Sequence, residues 1–420
     1  MARIASTTVQ LTSMIKGGRD MMPAGSVIAG HSFQHAYGHA FFVILPSIYA
    51  SLGLSPLAAG LIGTIRQMSS GVATMGGGVL VDRIQHRRLM ILYLSLVATG
   101  VAYFLVGLAP TFVLILVAVG LAGIAGSVWH PTAISLLSQR YPGRRGLMVG
   151  VHRSSGSVGD FVGPLAAGGL LLVLAWQRVF FLALPLALVV LVWTVLATAR
   201  SQSWQELVSR SRVNRPLGQQ LRALGVVARQ RRLLLLMLVS GVAGLGQGGI
   251  LMWLPIYLSE TQGMGSLGIG FHISLLSGMG IISAPLMGGL SDRLGRKGVI
   301  MLVLTGKGTV AVLMALAGGG ILFSILVAVL GIFMMGVNSL VQAAALDMAE
   351  GQQLEGSLIG LLWGNNALFS GASPLLVGAV VASLGFTFIF WYVAAMNVLG
   401  FLLVLSVPDL GRGGRRVAAG

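Results

Sequence analysis

Gly288-Gly289-Leu290-Ser291-Asp292-Arg293-Leu294-Gly295-Arg296-Lys297 is a short basic loop set between two long apolar runs. A shorter version, Gly78-Val79-Leu80-Val81-Asp82-Arg83, stands 210 residues earlier, at half the length of the 420-residue chain. A second segment repeats at the same offset: Gly146, Gly150, Pro164, Leu165 and Gly168 recur as Gly356, Gly360, Pro374, Leu375 and Gly378. Two matches at one offset imply an internal duplication. Small residues in such a loop let two helix ends approach closely. The acid can sit at a neighbouring helix N-terminus, where the dipole favours negative charge, and the basic residues hold the loop at the lipid headgroups.

The runs around these loops decide the solvent. The chain is 55% hydrophobic and only 9% charged, and its mean hydropathy is +0.90. Twelve apolar runs follow one another, from 26–50 to 385–407, each about 20 residues, the length that crosses a hydrocarbon core. The expected fold is therefore an all-α integral membrane protein with twelve transmembrane helices in two six-helix bundles. Six spans per half is an even number, so the halves share one orientation about an axis along the membrane normal. The expected order is a tail at 1–22, an N-terminal bundle at 23–199, a basic linker at 200–232, a C-terminal bundle at 233–408 and a tail at 409–420.

The formal net charge of +17 raises the question of nucleic acid. Its distribution answers it. Of the 27 lysines and arginines, 23 lie in loops after even-numbered spans, in the linker or in the tails, and the opposite side carries Arg178 alone. That asymmetry is an orientation signal, which puts both termini in the cytoplasm and excludes a nucleic-acid partner. The linker, with Glu206 as its one acid, reads as partly helical and lying on the inner leaflet. With no cysteine, disulfides and thiolate metal sites are excluded. Residues 1–22 lack an apolar core followed by a cleavage site, so they do not read as a cleaved signal peptide.

The Gly288–Lys297 loop resembles, along its whole length, the loop signature of the major facilitator superfamily. The first-half copy keeps Gly78, Leu80, Asp82 and Arg83 but has Gln85 and His86 where glycine and arginine are usual. The fifth span, with Gly150, Gly159, Gly163, Pro164, Gly168 and Gly169, resembles the signature of that superfamily's drug-proton antiporters, with one extra residue after the proline. His31 and His35, the Gly126-Ser127-Val128-Trp129-His130-Pro131 segment, Val151-His152 and Gly156-Ser157-Val158-Gly159 look like the superfamily's fosmidomycin-resistance exporters. The resemblance implies a conformational latch from Gly78, Asp82, Arg83, Gly288, Asp292, Arg293 and Arg296. It also implies a hinge from Gly159, Gly163 and Pro164, where glycines allow close packing and proline loosens the backbone ladder. One departure is plain: Val117–Gly126 in the fourth span holds no charge, where proton-coupled members usually carry an arginine.

Buried charge is rare inside membranes and marks pathways or structural pairs. Six of the seven histidines lie in the spans, and His31, His35 and His39 make one stripe at helical spacing. Imidazole changes charge near neutral pH, so this stripe is a candidate proton path, with His130 and Asp160. Arg66 lies about 14 residues, roughly 21 Å, from the cytoplasmic end of the second span, too deep to reach the headgroups easily. It reads as an ion-pair partner of Asp160 or as part of a site shared with it. His130 beside Pro131 reads equally as the partner of a carbonyl freed by the proline. His152 and Arg153 read as reaching the headgroups, Lys307 as snorkelling or structurally paired, and His272 as incidental. The second half offers neutral groups: Gln247, Trp253, Tyr257, Asn338, Gln342, Asn365 and Asn366.

These features point away from catalysis. No phosphate-binding loop or nucleophile elbow is present, and the full histidine stripe spans roughly 12 Å, too far for one ion. Neither a metal nor a cofactor is expected. The expected function is secondary active transport by alternating access, in the form of proton-coupled efflux of a small organic compound. Three fixed positives, Arg66, Arg153 and Lys307, face one negative, Asp160, which favours an anionic substrate. The alternatives are a proton-coupled uptake symporter for an organic anion and a non-transporting membrane sensor or assembly partner. The expected partners are the small-molecule substrate, protons and the lipid bilayer; the expected state is a monomer in a bacterial inner membrane.

Overall fold

A computed structural model describes residues 2–210, 217–334, 336–348 and 355–408. The described residues of the first half form α1 (Ala2–Ser51), α2 (Pro56–Arg83), α3 (Arg88–Leu108), α4 (Phe112–Ser127), α5 (Trp129–Arg140), α6 (Arg145–Leu170), α7 (Trp176–Phe181) and α8 (Ala183–Ala199). Two shorter helices, α9 (Gln202–Arg210) and α10 (Leu217–Ala228), occupy the linker. The second half contains α11 (Arg231–Glu260), α12 (Ser266–Gly278), α13 (Gly280–Leu294), α14 (Arg296–Ala317), α15 (Gly320–Met334), α16 (Gly336–Met348), α17 (Glu355–Leu384) and α18 (Phe388–Leu405).

Among the described residues, nine helical stretches are long and apolar enough to cross a membrane. α1, α2 and α6 are not among them, because they carry His31, His35, His39, Arg66, His152, Arg153 and Asp160. The polar load is thus concentrated on three helices. α1 continues without a break from Ala2 to Ser51, so the stretch expected as a tail is helical and extends the first span. The linker is partly helical as well. The indole of Trp204 on α9 is fully buried, and Arg140 donates to Ser203 Oγ at 2.9 Å, which seats α9 against the first half.

The two copies of the repeated loop take different turns for a reason visible in one residue. Gly295 has φ +83°, a conformation that glycine adopts without the steric cost of a side chain, and it both ends α13 and starts α14. Gln85 stands at the equivalent place, and there the chain forms a short 3₁₀ turn over Gln85–Arg87 instead. Lys297 donates its ammonium to the carbonyls of Leu405 (3.1 Å) and Val407 (2.6 Å), closing the C-terminal end of α18, where a cation is favoured. Gly78 and Arg83 lie on the last turns of α2, and Gly288 and Arg293 on α13. The side chains of Asp82 and Asp292, the acids of the expected latch, lie outside the described residues.

The two halves meet along glycine seams. A Cβ at Gly60 of α2 would lie 2.5 Å from the Pro374 carbonyl oxygen of α17, and one at Gly360 of α17 would lie 3.0 Å from the Thr74 oxygen. On the other side, a Cβ at Gly168 of α6 would lie 2.6 Å from the Ser266 oxygen of α12, and one at Gly270 would lie 2.6 Å from the Pro164 oxygen. Ser266 and Ser274 of α12 donate to the carbonyls of Gly168 (2.9 Å) and Phe161 (2.5 Å). The seams are therefore fifth helix on second helix, twice, as the 210-residue duplication requires. The expected hinge residues divide between two faces. Pro164, like the neighbouring Gly168 outside that set, meets the second half, whereas Gly159 and Gly163 press α6 onto the α1 backbone at Ser32 and Ala36.

A side chain at Gly163 would collide with backbone rather than with a movable side chain. Gly163→Val should therefore destabilise the protein by about 1–3 kcal/mol, read as a lower midpoint of thermal unfolding in detergent. Gly150→Ala, where a Cβ meets nothing within 4 Å, should hold the midpoint or raise it, because alanine is favoured over glycine inside a helix. Equal midpoints for both variants would contradict the packing.

Candidate functional site

The stripe on α1 gains its meaning from α6. His35 donates from Nδ1 to Asp160 Oδ1 at 2.7 Å, and Nδ1 of His39 lies 2.6 Å from the same oxygen. The carboxylate is held between two imidazoles one helical turn apart, and its side chain is 9% exposed against 25% for His35 and 15% for His39. Gly156 makes room for this arrangement: a Cβ there would lie 2.6 Å from His31 Cε1 and 3.1 Å from His35 Nε2.

His31 belongs to a second group deeper in the bundle. Its Nδ1 lies 2.6 Å from the His152 carbonyl. A carbonyl only accepts, so Nδ1 carries the proton and Nε2 of the neutral ring is left to accept from His130 Nδ1 at 3.0 Å. The Ser155 hydroxyl sits 3.1 Å from His31 Nδ1 and donates to the His152 carbonyl at 2.7 Å. The ring of His152 stacks on that of His31 at 3.8 Å, and among the described residues neither of its ring nitrogens has a hydrogen-bond partner. The two groups touch through His31 and His35, whose ring centroids are 4.5 Å apart, and through His35 and His130 at 5.2 Å. Five histidines and one aspartate thus form a continuous cluster across α1, α5 and α6.

Arg66 is not Asp160's partner. Its guanidinium donates to the Gly38 carbonyl (3.0 Å) and the Tyr103 hydroxyl (3.2 Å), and it lies 4.8 Å from the centre of the Phe41 ring. The expected direct pair fails because the two imidazoles already occupy Asp160, while Arg66 is turned toward a carbonyl, a phenol and an aromatic face of its own half. His152 is buried rather than extended to the headgroups, and His130 meets His31 rather than a carbonyl freed by Pro131. Lys307 is 1% exposed, enclosed within the second half rather than snorkelling. His272 is buried, with Nδ1 2.7 Å from the Gly268 carbonyl and Nε2 2.9 Å from Ser324 Oγ.

The second half contributes a neutral network around a cavity of about 190 Å³ lined by Ser240, Asn338, Gln342, Leu362, Trp363 and Asn366, among others. Asn338 Oδ1 accepts from Ser240 Oγ (3.0 Å) and Asn366 Nδ2 (3.1 Å), and Asn338 Nδ2 donates to Gln247 Oε1 (3.3 Å). Asn365 instead donates to the Met237 carbonyl at 2.8 Å, so of the adjacent pair it is Asn366 that lines the cavity. Two contacts join this cavity to the first half. The ring of Trp363 meets that of His130 edge-on at 5.2 Å, and Arg153 donates to Gln342. The sequence reading passed over Trp363, Ser240, Ser155 and Tyr103, since an aromatic or a hydroxyl in an apolar span gives no signal of its own.

In a double-mutant cycle on the unfolding of purified protein, His35→Ala and Asp160→Asn should couple by about 1–3 kcal/mol, and Arg66→Ala with Asp160→Asn by less. Coupling as large for Arg66 would restore the direct pair.

The family model described as Major Facilitator Superfamily matches residues 28–374. The multidrug resistance protein MdtG of Citrobacter koseri is 25% identical over 403 residues, covering 91% of this chain and 94% of its own. The tetracenomycin C resistance and export protein of Streptomyces glaucescens is 24% identical over 292 residues, covering 57% of this chain and 53% of its own. A crystal structure of the nucleoside transporter NupG superposes with a TM-score of 0.70 over 92% of this chain and 99% of that one, at 13% identity, a likeness of fold. These relatives are transporters, not enzymes. A multi-pass membrane protein with the paired glycine seams described above, the chain belongs to the major facilitator superfamily.

Proposed function

We propose that this protein is a secondary transporter that exports a small organic compound in exchange for protons, by rocking its two halves about a central site. In this reading the helices make twelve spans. α4 with α5, α7 with α8, α12 with α13, and α15 with α16 each form one, and α1, α2 and α6 span despite their polar residues because those residues face protein. Both termini are cytoplasmic by the distribution of basic residues, the membrane is the bacterial inner membrane, and the unit is a monomer.

The observation that carries the proposal is the continuous cluster of five histidines and Asp160 abutting a cavity lined from the other half. A proton moving along imidazoles needs rings in contact and alternating donor and acceptor nitrogens. His130, His31 and His35 meet the first condition, and the His130-to-His31 hydrogen bond the second. Because His130 touches Trp363 and Arg153 touches Gln342, a change of charge in the cluster is felt at the contact between halves. This supplies the coupling role that the uncharged fourth span lacks. Export is supported by the names of the relatives, a multidrug resistance protein and a resistance and export protein. Of the three fixed positives, Arg153 lies closest to the cavity lining through Gln342 and is the better anchor for an anionic substrate; Arg66 is directed toward the Gly38 carbonyl and the Tyr103 hydroxyl of its own half.

Flux in reconstituted vesicles with an imposed pH gradient, over a panel of anionic, neutral and cationic compounds, tests the proposal. Gradient-dependent movement of at least one compound is expected, with its direction separating export from uptake. No flux for any compound would favour the non-transporting reading. His35→Ala and His39→Ala should each flatten the pH dependence of transport. An unchanged profile in both single variants and in the double variant would remove the histidines from the coupling.

A further inference from the structure

The two imidazoles and the carboxylate that converge at one point between α1 and α6 have the make-up of a transition-metal site. We propose that His35, His39 and Asp160 bind a divalent transition-metal cation of the zinc, cobalt or nickel type. The full stripe of three histidines is too long for one ion, but the i, i+4 pair is not, and Asp160 comes from another helix to the point that the pair addresses. The ligand atoms of the three residues all lie within 4.8 Å of one another, and the two imidazole-to-carboxylate distances are 2.7 and 2.6 Å. Metal bonds of about 2.0–2.1 Å place neighbouring tetrahedral ligands roughly 3.3 Å apart. Side-chain rotations that open each imidazole-to-carboxylate contact by roughly two thirds of an ångström and bring the two imidazole nitrogens to the same spacing accommodate the ion.

The chemistry of the donors selects the class of ion. Imidazole nitrogens favour zinc, copper, nickel and cobalt over magnesium and calcium, which prefer an all-oxygen shell. To bind, each ring presents the lone pair of Nδ1 to the metal and keeps its proton on Nε2. The single carboxylate supplies the negative charge that a cation needs in an apolar bundle. Three protein ligands leave at least one position open, the pattern of sites where a water or another ligand joins the metal.

His31, His130 and His152 form a second group whose ligand atoms also lie within 4.8 Å of one another. It is the less suited of the two. His31 Nδ1 is committed to a carbonyl and its Nε2 to His130, and no carboxylate is included to balance the charge. The proposal does not depend on transport, because binding is measured on purified protein without a gradient.

Protein without a histidine tag, purified in detergent and stripped with chelator, would be titrated with Co²⁺ and with Zn²⁺. One ion per chain is expected, with the visible absorption of a four- or five-coordinate cobalt centre that Zn²⁺ abolishes by displacement. His35→Ala, His39→Ala and Asp160→Asn should each weaken binding by about tenfold or more, and His272→Ala and His152→Ala should leave it unchanged. Thermal unfolding identifies any variant that fails to fold; should Asp160→Asn be one, the two histidine variants decide. Absence of stoichiometric binding by the wild-type protein would overturn the proposal. So would binding indifferent to these residues, or binding lost on His130→Ala or His152→Ala instead.

Discussion

A carboxylate enclosed in a membrane bundle must have partners, because desolvation of an unpaired charge costs several kcal/mol even after the surroundings relax. Asp160 has two, and both come from one face of α1. That requirement fixes the rotation of α1 about its axis. With His35 and His39 turned toward α6, His31 follows on the same face and reaches His130 and the His152 carbonyl. The close approach is possible only because α6 carries glycine at 156, 159 and 163, where a Cβ would strike the His31 ring or the α1 backbone. The polar cluster and the glycine packing are thus one constraint: short ion contacts need short interhelical distances, and short distances need missing side chains.

The same small-residue logic builds the boundary between halves, but with a different result. At α2–α17 and α6–α12, glycine and serine bring backbone against backbone with no charge in the hydrogen bonds of the seam. Such contacts hold by packing and a few hydroxyl bonds, and lipid offers no hydrophobic drive to keep helices together. A seam of this kind can slide or open at low cost. The α1–α6 contact, anchored by a buried carboxylate held between two imidazoles, resists such sliding. The molecule therefore pairs a tightly held first half with softer boundaries to the second.

The duplication and the small residues that build the seams were legible in the sequence because each leaves a periodic or repeated trace. Gly168 and Gly378 stand 210 residues apart and both meet a second helix of the opposite half. The histidine stripe was legible because four-residue spacing puts side chains on one face whatever surrounds them. What each stripe would meet was not. Asp160 chooses two imidazoles over Arg66 because of how α1 and α6 cross, which no local pattern records. Asn365 and Asn366 are adjacent, so helical rotation separates them by about 100°, and only the placed helix tells that Asn366 lines the cavity. Trp363 is invisible among apolar neighbours, yet it is the residue that brings the histidines into contact with the second half.

The halves are duplicated in backbone but not in chemistry. The first holds the buried aspartate and the five clustered histidines, while the cavity in the second is bordered by amides and hydroxyls. Neutral groups hydrogen-bond a varied ligand without demanding a counter-charge, and fixed titratable groups respond to protons. In the proposed transport cycle, segregating the two lets substrate recognition and proton chemistry vary independently. They remain connected at two points, Trp363 on His130 and Gln342 on Arg153. Separation of the halves must break both contacts while leaving the His35–Asp160–His39 arrangement intact, since all three of its members lie in one half. In the proposed transport cycle, the charge state of the cluster therefore acts on the rocking motion through these two contacts, and a change at either one alters coupling without touching the contacts of Asp160.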